Sequence, residues 1–431
     1  MKQRGGMINC ISKTDKTWLN QRLSFMLLVL LFSSMSGCSS EAEDEGSRSM
    51  LSGGENSINM MSPSGGNQNG DQGGMENSSL GGVPSPPRSG IGVLGYASHS
   101  IDEVDWEVIG VPEDGLKRPI ALQINPARPN ELWVVNYRDD SVVVLFDFDT
   151  PERRSRKFTD PYAIHFMTSP TSISFASDGQ FATCQDSNNG GDYFMGPTLW
   201  TSDFDIFAQS NPDAVAYLSG QDLGSHLDML HESPHCMGIA WENENQYWVF
   251  EGLTSSIARV DFKEDHGPGF DDHSDGVTVR YAVGEVSRME GFPSHLLYDQ
   301  DTQKLYIADT GNQRVGVLDT RQEGTGLTRM PAVEAGTQLL LVDDGPQVES
   351  LVPEGTFRGP TGLAMYQGIL YVSDTANGRI TAVDPESGEI LDWLDTGIDS
   401  PGLMGITFDS EGNLYAVDGL EDRVFRFSPR P

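Results

Sequence analysis

One pattern recurs six times between residues 119 and 418 and limits what this chain can fold into. Each copy opens at a proline, runs through a short apolar segment and a polar turn, and ends a second apolar segment on a polar residue. The proline and that polar residue are always 14 to 17 positions apart, although the copies differ in length. The prolines are Pro119, Pro170, Pro234, Pro293, Pro360 and Pro401, and the polar residues are Asn136, Asp186, Glu251, Asp309, Asp374 and Asp418. A period of this kind predicts one array of similar units rather than several unrelated domains.

Further strand-like segments complete most copies. A third segment alternates apolar and polar residues, as in VGVLD (315–319), ITAVD (380–384) and VFRFS (424–428), which is typical of half-buried strands. A fourth strand is predicted in TVRYAV (278–283), TQLLLV (337–342) and EILDWL (389–394). Four-stranded units repeated around an axis are propeller blades. The sequence therefore predicts an all-β fold of six four-stranded blades.

Two of the turns carry a recognisable signature. The segments DTGNQRV (309–315) and DTANGRI (374–380) follow strands reading LYIAD and LYVSD, and they resemble the NHL-repeat pattern D-x-x-N-x-R-[IV]. The last copy keeps Asp418 and Arg423 but has Glu421 at the Asn position, and the second copy is interrupted by an insertion. The resemblance covers about residues 96–429 and implies a six-bladed β-propeller. It does not identify a function, because propellers host many activities.

The two ends of the repeat array are predicted to meet. The last copy stops after its third strand, and the strand-like segment 104–111 precedes the first proline. We expect this N-terminal segment to supply the missing fourth strand of the last blade and so to close the ring.

The N-terminal segment has the features of a targeting signal rather than of a folded domain. A basic leader and the apolar run 23–32 end in Ser33-Ser34-Met35-Ser36-Gly37-Cys38, which resembles a bacterial lipoprotein signal. The apolar run is too short to span a bilayer as a helix. We predict cleavage after residue 37, lipidation of Cys38 and anchoring in the bacterial cell envelope, at the periplasmic or surface face of the outer membrane. Ordinary secretion is the alternative.

The composition changes between the signal and the repeats. Residues 39–90 are dominated by Gly, Ser, Asn and Pro and contain no aromatic residue, so burial cannot offset the entropy of ordering them. We therefore divide the chain into a signal peptide (1–37), a disordered tether (38–95) and the propeller (96–431).

The charge of the chain excludes one class of partner. Asp and Glu number 63 against 28 Lys and Arg, which gives a net charge of −35. Binding to a phosphate backbone needs a basic surface that releases counterions, and this chain offers none. We expect no nucleic-acid partner, and we expect a monomer.

The polar residue that ends each second strand is the first candidate for a site. In an NHL-like propeller this position lies at the mouth of the central channel, so the six residues given above could bind a ligand there. Their oxygens could also bind Ca²⁺, a hard cation. The alternative is structural, because Asp and Asn accept backbone N–H groups in tight turns.

Histidines form the second candidate. Six of the eight lie between residues 226 and 295, and His235 and His295 stand where inner strands begin, so a zinc site in the central channel is one interpretation. Peptidyl-hydroxyglycine lyases, a related six-bladed group, carry Pro-His at three blade starts around a metal. This chain has Pro234-His235 once, and His295 is displaced by one residue.

The cysteines predict a covalent link. Only Cys184 and Cys236 lie within the repeats, and an even pair outside the cytosol favours a disulfide. Two free thiols, or Cys236 acting as a metal ligand beside His235, are the alternatives.

These patterns favour a binding module over an enzyme. No nucleophile elbow, metalloprotease helix, P-loop or dinucleotide fingerprint occurs. We expect a lipid-anchored propeller that binds a protein, peptide or glycan. The alternative is a metal-dependent lyase or a gluconolactonase-like hydrolase with its site at the channel mouth.

Overall fold

The computed structural model describes residues 89–188, 196–331 and 338–430. The predicted signal peptide, Cys38 and the tether as far as residue 88 lie outside the described residues. The described part contains 26 strands, two short α-helices and three 3₁₀ turns. The helices are α1 (Ala163–Phe166) and α2 (Pro212–Tyr217), and the 3₁₀ turns are Gly92–Leu94, Ile101–Glu103 and Pro112–Asp114.

The strands form six sheets that follow the six copies of the repeat, and the four strands of each blade pair antiparallel with their neighbours. Blade 1 contains β2 (Pro119–Ile124), β3 (Glu131–Asn136), β4 (Ser141–Phe146) and β5 (Arg154–Phe158). Blade 2 contains β6 (Pro170–Phe175), β7 (Gln180–Gln185), β8 (Thr198–Thr201) and β9 (Asp228–Met229). Blade 3 contains β10 (Cys236–Asn243), β11 (Gln246–Glu251), β12 (Ser256–Asp261) and β13 (Val277–Tyr281).

Blades 4 to 6 have the same strand order. Blade 4 contains β14 (Leu296–Asp299), β15 (Lys304–Asp309), β16 (Arg314–Asp319) and β19 (Glu349–Val352). Blade 5 contains β20 (Pro360–Tyr366), β21 (Ile369–Asp374), β22 (Arg379–Val383) and β23 (Ile390–Asp395). Blade 6 contains β24 (Leu403–Phe408), β25 (Leu414–Asp418), β26 (Arg423–Pro429) and β1 (Val104–Gly110). The predicted all-β, six-bladed fold is therefore confirmed.

The N-terminal strand lies at the outer edge of the last blade. β1 pairs antiparallel with β26, from Val104 opposite Pro429 to Gly110 opposite Val424. The inner strand of blade 1 also contacts the inner strand of blade 6, so the blades form a complete ring. That β1 is what holds this ring closed stays a prediction.

One predicted strand belongs to a different blade. Leu339–Val342, which we expected as the fourth strand of blade 4, is β18 and pairs in parallel with β13 of blade 3. Together with β17 (Thr328–Arg329) it extends that sheet to six strands. Blade 4 takes β19 instead, which pairs with β16. The error arose because β18 is the more apolar segment, and apolar character alone does not say which neighbouring sheet a strand will cover.

The apolar cores lie between neighbouring blades. Trp133 of β3 is completely buried, and the rings of Phe158, Phe175 and Phe181, from blades 1 and 2, surround it. At the N-terminal end, Val93 and Leu94 are buried in the cluster that joins blades 5 and 6. Packing therefore extends into the last residues of the segment predicted as tether. No helix within the described residues is long and apolar enough to cross a membrane.

Candidate functional site

Four of the six predicted channel-mouth residues are buried within the turns of their own blades. Asp309 accepts hydrogen bonds from the Ser287 backbone N–H (2.8 Å), the Asn312 amide (2.9 Å) and Arg314 Nε (2.8 Å). Asn136 bonds to backbone groups in the segment before β2, Asp418 accepts from two backbone N–H groups of the turn that follows it, and Asp374 accepts from one backbone N–H in each kind of segment. These are the contacts of turn-capping residues. The turn residues Asn312 and Arg314 of the NHL-like signature therefore stabilise the turn through Asp309.

Glu251 makes a buried ion pair. Its carboxylate contacts Arg280 Nε and accepts hydrogen bonds from the hydroxyls of Ser233 (2.5 Å), Thr254 (2.7 Å) and Ser256 (2.8 Å). Both charged side chains are almost completely buried, and both carboxylate oxygens are satisfied. Removing either partner leaves a buried charge without compensation, so this pair belongs to the scaffold of blade 3.

Asp186 differs from the others because its partners come from other blades. Its Oδ2 accepts from the Tyr137 hydroxyl of blade 1 (3.0 Å). Its Oδ1 accepts from His235 Nδ1 at the start of blade 3 (2.7 Å) and from Arg288 Nη1 in the connection to blade 4 (3.2 Å). We call the face of the ring where the inner strands begin the start face. This network joins blades 1, 2 and 3 and the connection to blade 4 there.

The network also perturbs ionisation. Burial, followed by the charge and the hydrogen bond of Asp186, raises the pKa of Tyr137 to about 12. Burial opposes the charged form of Asp186, but hydrogen bonds from His235 and Tyr137 and the charge of Arg288 outweigh it, so the pKa of Asp186 is lowered. Arg118 lies over the Tyr137 ring at 4.5 Å. The carboxylate of Asp186 also fixes His235 in the tautomer that carries the proton on Nδ1.

His295 lies across the axis of the ring. Its Nε2 is 3.0 Å from the Thr171 carbonyl of blade 2, and its backbone N–H donates to the Thr361 carbonyl of blade 5 (3.0 Å). Gly405 of blade 6 is so close that a Cβ there would stand 3.0 Å from His295 Cε1. Blades 2 and 6 are not neighbours of blade 4, so the imidazole must reach across the central channel. Burial lowers the pKa of His295 to about 4, although the bond to Thr171 acts in the opposite direction.

The inner strands approach one another closely around His295, and glycine at two positions makes this approach possible. A Cβ added to Gly238 of β10 would stand 2.0 Å from the Ser294 carbonyl oxygen of the next blade. At Gly405 it would also meet Ala121 Cα at 2.9 Å. No other residue fits these two positions without displacing a backbone.

Beyond His295, towards the ends of the inner strands, the channel widens into a cavity of about 380 Å³. Every blade contributes lining residues, among them Gln123, Ser174, Trp241, Tyr298, Met365 and Phe408. Trp241, Tyr298 and Phe408 are partly exposed, and the Trp241 indole N–H donates to the Glu244 carbonyl (2.9 Å). A pocket of this size with aromatic walls and a few polar groups is typical of a small-ligand site. We call it the central cavity.

The described residues that line the central cavity provide little charge. They include no Lys or Arg, and Asp299 is their one acid. Its two oxygens already accept from the Asp301 backbone N–H (3.0 Å) and the Thr302 hydroxyl (2.7 Å) of its own turn. The central cavity is therefore suited to an uncharged ligand.

The two histidines predicted to bind metal lie in different parts of the ring and have different partners. His235 bonds to Asp186 on the start face, and His295 bonds to Thr171 in the channel. Among the described residues, the one group of three close ligand atoms contains neither of them. A channel metal held by His235 and His295 stays a prediction without geometric support.

The predicted disulfide is present. Cys184 is the second-last residue of β7 in blade 2, and Cys236 is the first residue of β10 in blade 3. The two form a disulfide with a Cα–Cα distance of 5.0 Å. Because the two strands belong to adjacent blades, the bond links those blades covalently. Both thiols are consumed, so Cys236 is not a metal ligand beside His235.

Sequence reasoning missed two features of the site. The pairing of Asp186 with His235 was not predicted, although each residue was named separately. The central cavity at the far ends of the inner strands was not predicted either. The alternating positions of IALQI, TSISF and MGITF do point side chains inward, but which of them reach the axis depends on how closely the blades approach.

Comparison with known proteins agrees with the repeat. No known family model matches the sequence. A stretch of 137 residues is 31% identical to NHL repeat-containing protein 2 of Homo sapiens and covers 31% of this chain and 16% of that protein. The Gallus gallus protein is 30% identical over 121 residues, or 28% of this chain and 14% of that protein. The chain thus shows weak, partial homology to NHL repeat-containing proteins and spans about a sixth of their length.

Solved structures of similar shape are distant in sequence. An auxiliary nutrient binding protein from Bacteroides thetaiotaomicron is 12% identical with a TM-score of 0.46, covering 72% of this chain and 68% of that one. A streptogramin B lyase is 11% identical with a TM-score of 0.44, covering 76% and 98%. Neither likeness bears on the ligand of this chain.

Proposed function

We propose that this NHL-related six-bladed propeller is a binding module whose central cavity takes an uncharged unit of a glycan, with an uncharged peptide segment as the second candidate. The observation that carries the proposal is the chemistry of the central cavity. Three partly exposed aromatic residues contribute apolar surface to its wall, and the Gln, Ser and Thr residues beside them carry neutral hydrogen-bonding groups. A sugar ring presents the matching combination of apolar faces and hydroxyl edges.

Catalysis in the central cavity is poorly supported by its residues. His295 is the one imidazole among the described lining residues, and its pKa of about 4 makes it a weak proton acceptor near neutral pH. The carboxylate of the nearby acid, Asp299, already accepts hydrogen bonds within its own turn. An acid–base pair would need two groups directed at one substrate, so we favour binding.

The test is a binding screen with the full chain against glycan and peptide arrays. We expect hits among neutral glycans, followed by loss of affinity of at least tenfold in Trp241→Ala. Trp106→Ala is the matched control, because Trp106 is 52% exposed on the outer edge strand β1 and lies outside the central cavity. Equal affinity in the wild type and Trp241→Ala would refute the assignment of the site.

The enzymatic alternative makes a different prediction. A lyase or hydrolase at the start face would depend on the Asp186–His235 pair rather than on Trp241. His235→Ala should therefore leave binding in the central cavity unchanged. Turnover of a bound ligand that His235→Ala abolishes would support the enzyme and contradict the binding module.

We also propose that lipid on Cys38 attaches this propeller to the bacterial cell envelope. The signal-like segment that ends at Cys38 motivates the proposal. Two or more acyl chains give stable anchoring, so the protein should fractionate with membranes and carry radiolabelled fatty acid. Both properties should be lost in Cys38→Ser, and a Cys38→Ser protein that still carries label would contradict lipidation.

A further inference from the structure

A second group of polar residues lies at the outer edge of the ring, between blades 2 and 3. Asp228 is on the outer strand β9 of blade 2, and His266 and Asp275 are in the connection between β12 and β13 of blade 3. One ligand atom from each of the three lies within 4.8 Å of the others. The central cavity is lined by inner strands, so this outer group is separate from it.

Asp228 is the unusual member of the group. The residue is completely buried, and among the described residues its Oδ2 has no hydrogen-bond partner. Its Oδ1 accepts from His273 Nδ1 (2.7 Å) and from the Met229 backbone N–H (2.7 Å). A buried carboxylate oxygen without a partner is costly. A cation beside Oδ2 would remove that cost.

The surroundings provide the outer contacts that metal sites need. His273 bridges two carboxylates, with Nδ1 2.7 Å from Asp228 and Nε2 3.4 Å from Asp271 Oδ1. A histidine that donates to a ligating carboxylate fixes its orientation, as outer-shell partners do around metals. His226 adds a buried ring nitrogen, Nε2, that has no hydrogen-bond partner among the described residues, and its ring lies 5.9 Å from the His273 ring.

We propose that Asp228, His266 and Asp275 bind a divalent transition metal of the zinc class and that the ion joins blade 2 to blade 3. The donor set is one imidazole nitrogen and two carboxylate oxygens. Ca²⁺ prefers six to eight oxygens, whereas Zn²⁺ accepts mixed nitrogen and oxygen ligands in sets of three with a water. The group therefore fits zinc better than calcium.

The required movement is small. With metal–ligand bonds of about 2.0–2.1 Å, tetrahedral ligands stand about 3.4 Å apart. His266 Nε2 and Asp275 Oδ1 are already 3.0 Å apart and share a hydrogen bond that the ion would replace. Their side chains are 21% and 33% exposed and belong to a connection between strands, so they can close on the buried Asp228.

The experiment is a titration of the full, metal-free chain with ZnCl₂ and CoCl₂ by calorimetry and by the visible absorption of bound Co²⁺. We expect one strong site, a higher Tm with Zn²⁺, and a loss of affinity of at least tenfold in both His266→Ala and Asp275→Asn. Excess Mg²⁺ and salt should not compete, although the acidic surface will bind cations weakly.

The control is His99→Ala, which removes a histidine with a carboxylate partner elsewhere in the ring, Asp392, at 3.2 Å. It should bind Zn²⁺ like the wild type. Because His266 and Asp275 are partly exposed, their variants should keep the metal-free Tm of the wild type, which separates loss of a ligand from loss of the fold. Absence of a strong site in the wild type, or wild-type affinity in both ligand variants, would overturn the proposal.

Discussion

Removal of the N-terminal strand should unfold or strongly destabilise the whole propeller. Deletion of residues 89–110 takes away four buried apolar side chains, Val93, Leu94, Val104 and Ile109. It also removes the pairing of β1 with β26 and the hydrogen bond from the Ile91 backbone N–H to Asp392 Oδ2 (2.8 Å).

The expected loss is comparable to the entire stability of a domain. At about 1.5–3 kcal/mol for each buried side chain, the four contribute about 6–12 kcal/mol as an upper range. Native domains are stable by about 5–15 kcal/mol. A milder version is Leu94→Ala, which should cost about 2–5 kcal/mol because Leu94 is completely buried.

The assay is thermal and urea unfolding of the full chain, followed by circular dichroism. Deletion of 22 residues from the predicted tether, 56–77, is the control of equal length and should leave the midpoint unchanged. An unchanged midpoint after deletion of residues 89–110 would refute the prediction that this segment holds the ring closed.

Three further predictions follow from individual contacts. Cys184→Ser with Cys236→Ser should lower the free energy of unfolding by about 2–4 kcal/mol relative to the oxidised wild type; equal urea midpoints would contradict this. Because the pKa of His295 is about 4 in the folded chain and about 6.5 when unfolded, stability should fall as the pH drops from 6.5 to 4, by up to about 3 kcal/mol. His295→Gln should flatten that part of the pH–stability curve, and an unaltered slope would show that other groups cause it. Asp186→Asn should bring the pKa of Tyr137 down from about 12 towards 10, measured as the phenolate absorbance that Tyr137→Phe removes; no shift would exclude Asp186 as a cause.

The inner and second strands of this protein could be predicted from its sequence because they leave a local signal. Proline at the start of the inner strand, the turn, and Asp309 or Asp374 after the second strand all act within about 20 residues, so spacing alone identified them. The pairing of β1 with β26 was also accessible, since an incomplete last copy needs a fourth strand. Leu339–Val342 was placed in the wrong sheet because its partner, β13, is chosen by tertiary packing.

The sites were harder to predict because their residues come together through loops. Asp186 and His235 are 49 positions apart and meet only because blades 2 and 3 are adjacent. Asp228 carried no local signal, although the density of histidines from 226 to 295 was visible. The repeat-terminal residues stood out for the opposite reason, since the turn-capping position recurs along the repeat whereas a ligand site need occur only once.

The proposed function depends on ligand binding in the central cavity. A crystal structure of the full chain with a neutral glycan selected on the arrays tests it most directly. We expect a sugar ring against Trp241 and Phe408, on the side of His295 where the inner strands end. A ligand bound instead at the start face beside Asp186 and His235 would contradict it.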